Sequence, residues 1–265
     1  MPGALYEPDG PRFVPTALTV GPWDPGSQHG GAPSALLARA VEAEPSSAPL
    51  QLARLTVELL RPVPVRPLRV TAEVVRPGHK VQLVRAVLSA GEVEVAAAHG
   101  LRIRTVERPL PAGTETAEPA LPGPDAGSGT RFPSTSAGEE VPGFATTAND
   151  IRFVEGGFDR AGPALAWIRL LVPVVAGEEV SPAMRAAAAA DFGNGLSWVV
   201  PPTSWLFVNP DLTVHLARPP QGEWIGLRST TLPSSDGIGM AESALHDAAG
   251  RFGRSVQSLL LDDRG

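Results

Sequence analysis

The chain contains no cysteine, which excludes disulfides, thiolate metal ligands and a cysteine nucleophile together. No apolar run approaches the ~18 residues of a membrane-crossing helix. The start, Met1-Pro2-Gly3-Ala4-Leu5-Tyr6-Glu7-Pro8-Asp9, has neither the basic opening nor the apolar core of a secretory signal. Positive charge is short as well. Lys and Arg number 22 against 28 Asp and Glu, a net charge of −6, whereas a nucleic-acid surface is normally basic. These absences lead to the expectation of a cytoplasmic globular protein with no nucleic-acid partner and no membrane span. Several chemical signatures are missing too. There is no Gly-x-Ser-x-Gly elbow for a serine hydrolase and no His/Asp/Glu set at metal-ligand spacing. No phosphate-binding glycine fingerprint follows a strand. Neither a metal nor a resident cofactor is expected.

Glycine and proline, by contrast, are abundant, at 28 and 29 residues. Many fall between Glu107 and Gly143 without apolar periodicity, which marks a connecting segment. The chain also states one pattern twice. Leu55-Thr56-Val57-Glu58-Leu59-Leu60-Arg61-Pro62 returns 157 residues later as Leu212-Thr213-Val214-His215-Leu216-Ala217-Arg218-Pro219. A period of that length exceeds the roughly 20–50 residues of solenoid units and indicates a duplicated domain. The expected division is residues 1–106, a linker over 107–148, and residues 149–265.

Each copy contains one helix candidate among strand-like runs. In the first, Pro33–Glu44 carries Leu36, Leu37, Ala40 and Val41 on one face. Around it, Arg12–Val20, Gln51–Leu60, Leu68–Arg76, Val81–Leu88 and Val93–Arg104 are rich in Val and Leu and bounded by Pro or Gly turns, as antiparallel strands are. In the second, Ser181-Pro182 is a strong helix start, the serine placed to cap and the proline at the first helical position. The helix Pro182–Ala190 is nearly all alanine, which allows close packing against other backbone. Strands follow over Trp205–Val208, Leu212–Leu216, Trp224–Thr231, Ile238–Leu245 and Arg251–Leu261. An apolar helix must be covered on most sides, and a curved sheet covers it. The expected fold class is therefore α+β, a double hotdog.

In this frame Asp191 follows the alanine run, and Gln257 sits among Val256, Leu259, Leu260 and Leu261. A buried amide there needs a partner, and a carboxylate and an amide that meet can hold a water between them. Matching the turns at Gly91 and Gly250 sets Ala98 opposite Gln257, with no carboxylate counterpart of Asp191 at the end of the first helix. One site per chain follows. His29-Gly30-Gly31 precedes the first helix, whose free N–H groups suit an oxyanion or a phosphate. His215 is expected at the surface or in sheet packing.

The chain resembles the double-hotdog acyl-CoA thioesterases of the thioesterase II type and their actinobacterial relatives. The resemblance rests on Gln28-His29-Gly30-Gly31, Ala190-Asp191-Phe192, the run Asn209 to Pro220, Gly222-Glu223-Trp224-Ile225, Leu245-His246-Asp247, Gly250-Arg251 and Val256-Gln257. It implies an acyl-CoA thioester hydrolase with coenzyme A present only as part of the substrate, and a homodimer or higher homo-oligomer. It assigns catalytic positions to Asp191, Asn209 and Gln257, and substrate contacts to His29, Gly30 and Gly31. Asn209 departs from the threonine of enterobacterial-type members. Its amide can orient a water as both donor and acceptor, but it cannot act as a nucleophile. Two alternatives remain on sequence grounds, a non-catalytic acyl-binding protein and an enoyl-CoA hydratase.

Overall fold

A computed structural model describes residues 3–114, 121–129 and 142–264. The first half comprises β1 (Tyr6–Asp9), β2 (Arg12–Pro15), α1 (Gly31–Ala43), β3 (Leu50–Glu58), β4 (Leu68–Arg76), β5 (Val81–Ala90) and β6 (Val93–Arg104). A short β7 (Ser128–Gly129) precedes β8 (Asn149–Gly157), β9 (Arg160–Leu170), α2 (Pro182–Ala190) and α3 (Gly193–Leu196). The chain closes with β10 (Trp205–Val208), β11 (Asp211–Leu216), β12 (Trp224–Pro233), β13 (Ile238–Asp247) and β14 (Gly250–Asp263). Arg12–Val20 does not form one strand as its composition suggested. β2 ends at Pro15, and a single 3-10 turn over Ala17–Thr19 follows, capped where Thr16 Oγ1 accepts from the Leu18 N–H.

The strands form one 14-stranded antiparallel sheet, and the halves join through β3 and β11, with Thr56 directly opposite Thr213. These two threonines occupy the same place in the two copies, so their pairing marks the pseudo-twofold axis. Helices α1 and α2 run antiparallel beneath the sheet. The start of α1 at Gly31 meets Ala188 near the end of α2, and Glu42 near the end of α1 meets Ser181, the cap of α2. Ala32, Leu36, Leu37 and Val41 from α1 and Ala186 and Ala190 from α2 are fully buried between helices and sheet. Burying each leucine or valine contributes roughly 1.5–3 kcal/mol. This is the double-hotdog architecture. Among the described residues no helix is long and apolar enough to cross a membrane.

The register corrects the residue set opposite the second-half polar groups. The hairpins β5–β6 and β13–β14 both turn through two residues, Gly91-Glu92 and Ala248-Ala249. Glycine lies inside the first turn but just after the second, so matching Gly91 to Gly250 slips the copies by two positions. Thr56 pairs with His99 and Thr213 with Val256, which places Gly100, not Ala98, at the counterpart of Gln257. A Cβ on Gly100 would overlap the Val41 side chain. Helix α1 therefore rests directly on its sheet where the second half inserts a glutamine.

The stretch expected as linker is partly built into the second half. Pro122 O accepts from Trp167 Nε1 at 2.8 Å, β7 pairs with β8, and Phe144 is fully buried. The rest of it, residues 115–120 and 130–141, lies outside the described residues. At the other end of the chain the Leu5 and Tyr6 N–H groups donate to Pro173 O and Val174 O, which ties the first strand to the second half.

A carboxylate does end the first helix, contrary to the sequence reading. Glu42 Oε2 accepts from Ser181 Oγ at 2.5 Å. Nearby, the buried Arg102 donates through Nη1 to Gln82 Oε1 and Glu44 O. Burial raises the Glu42 carboxyl above its usual 4.5, against the opposing pull of the Ser181 hydrogen bond and the Arg102 charge. The folded chain thus binds this proton more tightly than the unfolded chain. The stability it contributes is complete below about pH 4.5 and is lost as pH rises through the raised folded value. Glu42→Gln stays neutral throughout, so its melting temperature should gain on the wild type as pH rises from about 5 to about 8. A difference between the two melting curves that stays flat with pH would contradict the burial effect.

Candidate active site

Asp191 is the residue that closes α2. Ser181 caps the other end, its Oγ accepting from the Met184 N–H, and the alanine run between them presents no side chain large enough to hold the helix away from α1. The chain then turns at once through Phe192 into α3. Asp191 is consequently carried to the start of α1 with only 3% of its side chain exposed. Gly30 makes that approach possible, because a Cβ there would stand 2.8 Å from Asp191 Oδ2 and 3.0 Å from Oδ1. The carboxylate occupies the space of the missing methyl, at the positive end of the α1 dipole where an anion is favoured.

Three side chains converge on this carboxylate. Asn209, in the turn before β11, donates from Nδ2 to Oδ1 at 2.8 Å, and also to Asp211 O at 3.2 Å. Gln257 on β14 reaches Oδ1 and the backbone oxygen of Asp191 through Nε2, each at 3.3 Å. The Gln257 amide has a fixed sense because its Oε1 accepts from the Asn194 N–H at 3.1 Å. Gly193 leaves room for it, since a Cβ there would lie 2.8 Å from that Oε1. On the other side His29 Nδ1 stands 2.9 Å from Asp191 Oδ2. Asp191, Asn209, Gln257, His29 and Gly30 thus meet in one place. Gly31 is adjacent, and its N–H points to His29 Nδ1 at 3.1 Å. His215 lies on the exposed side of β11 opposite Arg54 and takes no part.

The His29 contacts are not independent. Nδ1 carries one lone pair or one proton, and at 2.9 Å from an oxygen it must share a proton with Asp191. Oδ1 already accepts from two amides, so that proton sits on the Oδ2 side, between the carboxylate and the ring. The Gly31 N–H contact with Nδ1 then yields to it.

Further contributors come from outside the candidate catalytic and substrate-binding residues. Phe144 and Phe192 cluster with His29, with ring centroids 4.8 and 4.7 Å from the imidazole and 5.5 Å from each other. Phe144 comes from the proline- and glycine-rich stretch, where no periodicity could reveal a buried ring. The loop that carries His29 is held by Gln28, whose Oε1 accepts from Tyr6 O–H at 2.6 Å and whose Nε2 donates to Pro64 O at 2.8 Å. Asn194 orients Gln257 through its backbone, which no side-chain motif reports.

The site sits in a chain with recognisable relatives. Residues 19–103 match the family model for the acyl-CoA thioesterase N-terminal domain, and residues 116–261 match that for the acyl-CoA thioesterase C-terminal domain. Among solved structures, a conserved hot dog fold protein of unknown function from Alicyclobacillus acidocaldarius is 18% identical with a TM-score of 0.73, over 97% of this chain and 95% of that one. The acyl-CoA thioesterase II TesB2 of Mycobacterium marinum is 16% identical with a TM-score of 0.66, over 91% and 93%. The tesB protein of Mycobacterium avium subsp. paratuberculosis is 15% identical with a TM-score of 0.66, over 97% and 95%. At such identities the likeness is one of fold. No curated protein matches the chain significantly.

Gly30→Ala should destabilise the chain by about 1–3 kcal/mol, the usual cost of forcing a methyl into filled space. The cost should shrink in an Asp191→Ala background, where the opposing oxygens are gone. Denaturant melts of both singles and the double variant measure it. Additivity within ~0.5 kcal/mol would mean that the two residues do not contact.

Proposed function

This chain belongs to the acyl-CoA thioesterase family, and from that premise we propose that it hydrolyses the thioester of a hydrophobic acyl-CoA with a water activated at Asp191. The observation that carries this reading is the convergence of Asn209, Gln257 and His29 on one buried carboxylate at the junction of the two helices. Thioester hydrolysis needs a base within hydrogen-bond reach of a water. It also needs donors aimed at the carbonyl oxygen, where negative charge develops.

Asp191 supplies the negative charge on which activation of the water depends. Asn209 and Gln257 fix the carboxylate through their N–H groups, and the Asn209 carbonyl accepts from the water. The donors for the developing oxyanion are the N–H groups at the start of α1, at Gly30 and Gly31. The Gly31 N–H becomes available to it once the proton shared by Asp191 and His29 occupies Nδ1. Asparagine in place of the family's threonine keeps an acceptor at the water and adds a donor to the carboxylate.

Release of free coenzyme A from short-, medium- and long-chain acyl-CoAs tests the reading. Asp191→Asn is nearly isosteric and can keep its partners if His29 adopts its other tautomer. Its kcat should fall at least ~100-fold, the scale of a lost base, while its thermal midpoint stays close to the wild type. Thiol release from none of the substrates would overturn the proposal, and binding without release would favour the acyl-binding reading.

A further inference from the structure

We propose that His29 Nε2, rather than a carboxylate oxygen, takes the proton from the attacking water, with Asp191 acting on it through Nδ1. This inference rests on the thioesterase reading and assigns the proton transfer within it. Oδ1 of Asp191 is taken by Asn209 and Gln257, and Oδ2 faces His29 Nδ1 at 2.9 Å. The carboxylate is the deeper of the two groups, with 3% of its side chain exposed against 12% for His29. The imidazole is thus the side through which the pair opens outward.

The shared proton decides what the ring can do. With it on Nδ1, the imidazole is the tautomer that holds a lone pair on Nε2, and Nε2 has no hydrogen-bond partner among the described residues. A carboxylate that orients an imidazole through one nitrogen and leaves the other to accept a proton is the geometry by which hydrolytic dyads and triads activate a nucleophile. The ring is also held in place. Phe144 and Phe192 pack against it, and the loop is pinned by the His29 N–H donating to Thr19 O at 2.8 Å. Among the described residues Asp191 is the ionisable side chain in contact with the ring. The neighbours from the other elements, Phe144, Phe192 and Gly31, carry no charge.

The step balances without any other reagent. The water oxygen forms a bond to the thioester carbonyl carbon as its proton passes to Nε2, leaving an imidazolium beside the Asp191 carboxylate. The carbonyl electrons move onto the oxygen at the α1 start. They return as the carbon–sulfur bond breaks, and the departing sulfur takes the proton back from Nε2. The products are the free acid and coenzyme A, and His29 and Asp191 end as they began.

His29→Asn separates this role from simple positioning. The asparagine amide nitrogen stands at the same bond distance from Cβ as Nδ1 and can still donate to Asp191, but nothing replaces Nε2. His29→Gln is the complement, since its amide nitrogen matches Nε2 in reach and cannot accept a proton at neutral pH. The first measurement is wild-type thiol release; its absence ends the thioesterase reading itself. Given activity, both variants should lose at least ~100-fold in kcat, and the acid limb of the wild-type kcat–pH profile should vanish in them. His29→Asn combined with Asp191→Asn should be no worse than the weaker single, because the two act as a unit. A His29→Asn enzyme that keeps kcat within about threefold and retains the acid limb would overturn the proposal and return the proton to Asp191. So would multiplicative losses in the double variant. If either variant fails to fold by circular dichroism, the other carries the test.

Discussion

Helices α1 and α2 approach so closely that a methyl on Gly31 would lie 2.6 Å from Ala188 O and 2.7 Å from the Phe144 ring. That contact depends on small residues on both sides, glycine at the start of α1 and the alanine run Ala186–Ala190 in the second part of α2. Their antiparallel crossing sets the amino end of one helix against the carboxyl end of the other. Everything polar at the site follows from this. Asp191 is presented to Gly30 and His29, Asn209 and Gln257 are brought in by the sheet wrapped around the pair, and Phe144 closes the flank. A larger side chain at Gly31 would part the helix ends and disperse the cluster without touching any of its functional groups.

The same crossing occurs a second time, related by the axis through Thr56 and Thr213, and it is filled differently. At the other junction the end of α1 meets the cap of α2 through Glu42 and Ser181. The sheet offers Gly100 and Arg102 in place of Gln257 and Leu259. Gly100 lets Val41 settle onto the sheet, so no amide stands where Gln257 holds Asp191. Arg102 is committed to Gln82 and the Glu44 carbonyl. One junction keeps a carboxylate ringed by uncharged donors and a histidine. The other binds its carboxylate into a staple between helices. Electrostatics separates the two more clearly than shape does.

Much of this frame was legible in the residues. The strands at Leu68–Arg76, Val93–Arg104 and Trp205–Val208 and the helix at Pro182–Ala190 have the bounds their composition indicates, because proline, glycine and serine punctuate them. Asp191, Asn209 and Gln257 could be named together only through the family resemblance. Nothing local in the sequence brings residues 18 and 66 positions apart onto one oxygen. Glycine marks a turn but not a place within it, so matching the turn glycines sets the two copies two residues out of step. Phe144 and Tyr6 carry no such signal for another reason. Each acts through tertiary contact from a segment whose composition speaks only of turns or chain ends. Glu42, near the end of α1, carries no sequence sign of its contact because its partner Ser181 lies in the other half.

The two halves are covalently one chain, and that matters for what the residues are free to become. In a pair of identical chains every substitution appears on both sides of the axis, so a glutamine that helps one junction is imposed on the other. Here Gly100 and Gln257 are separate positions under separate selection, as are Glu42 and Asp191. The fused arrangement lets one junction be tuned for holding and the other for chemistry, each without spoiling its twin. A single inherited change alters a single place.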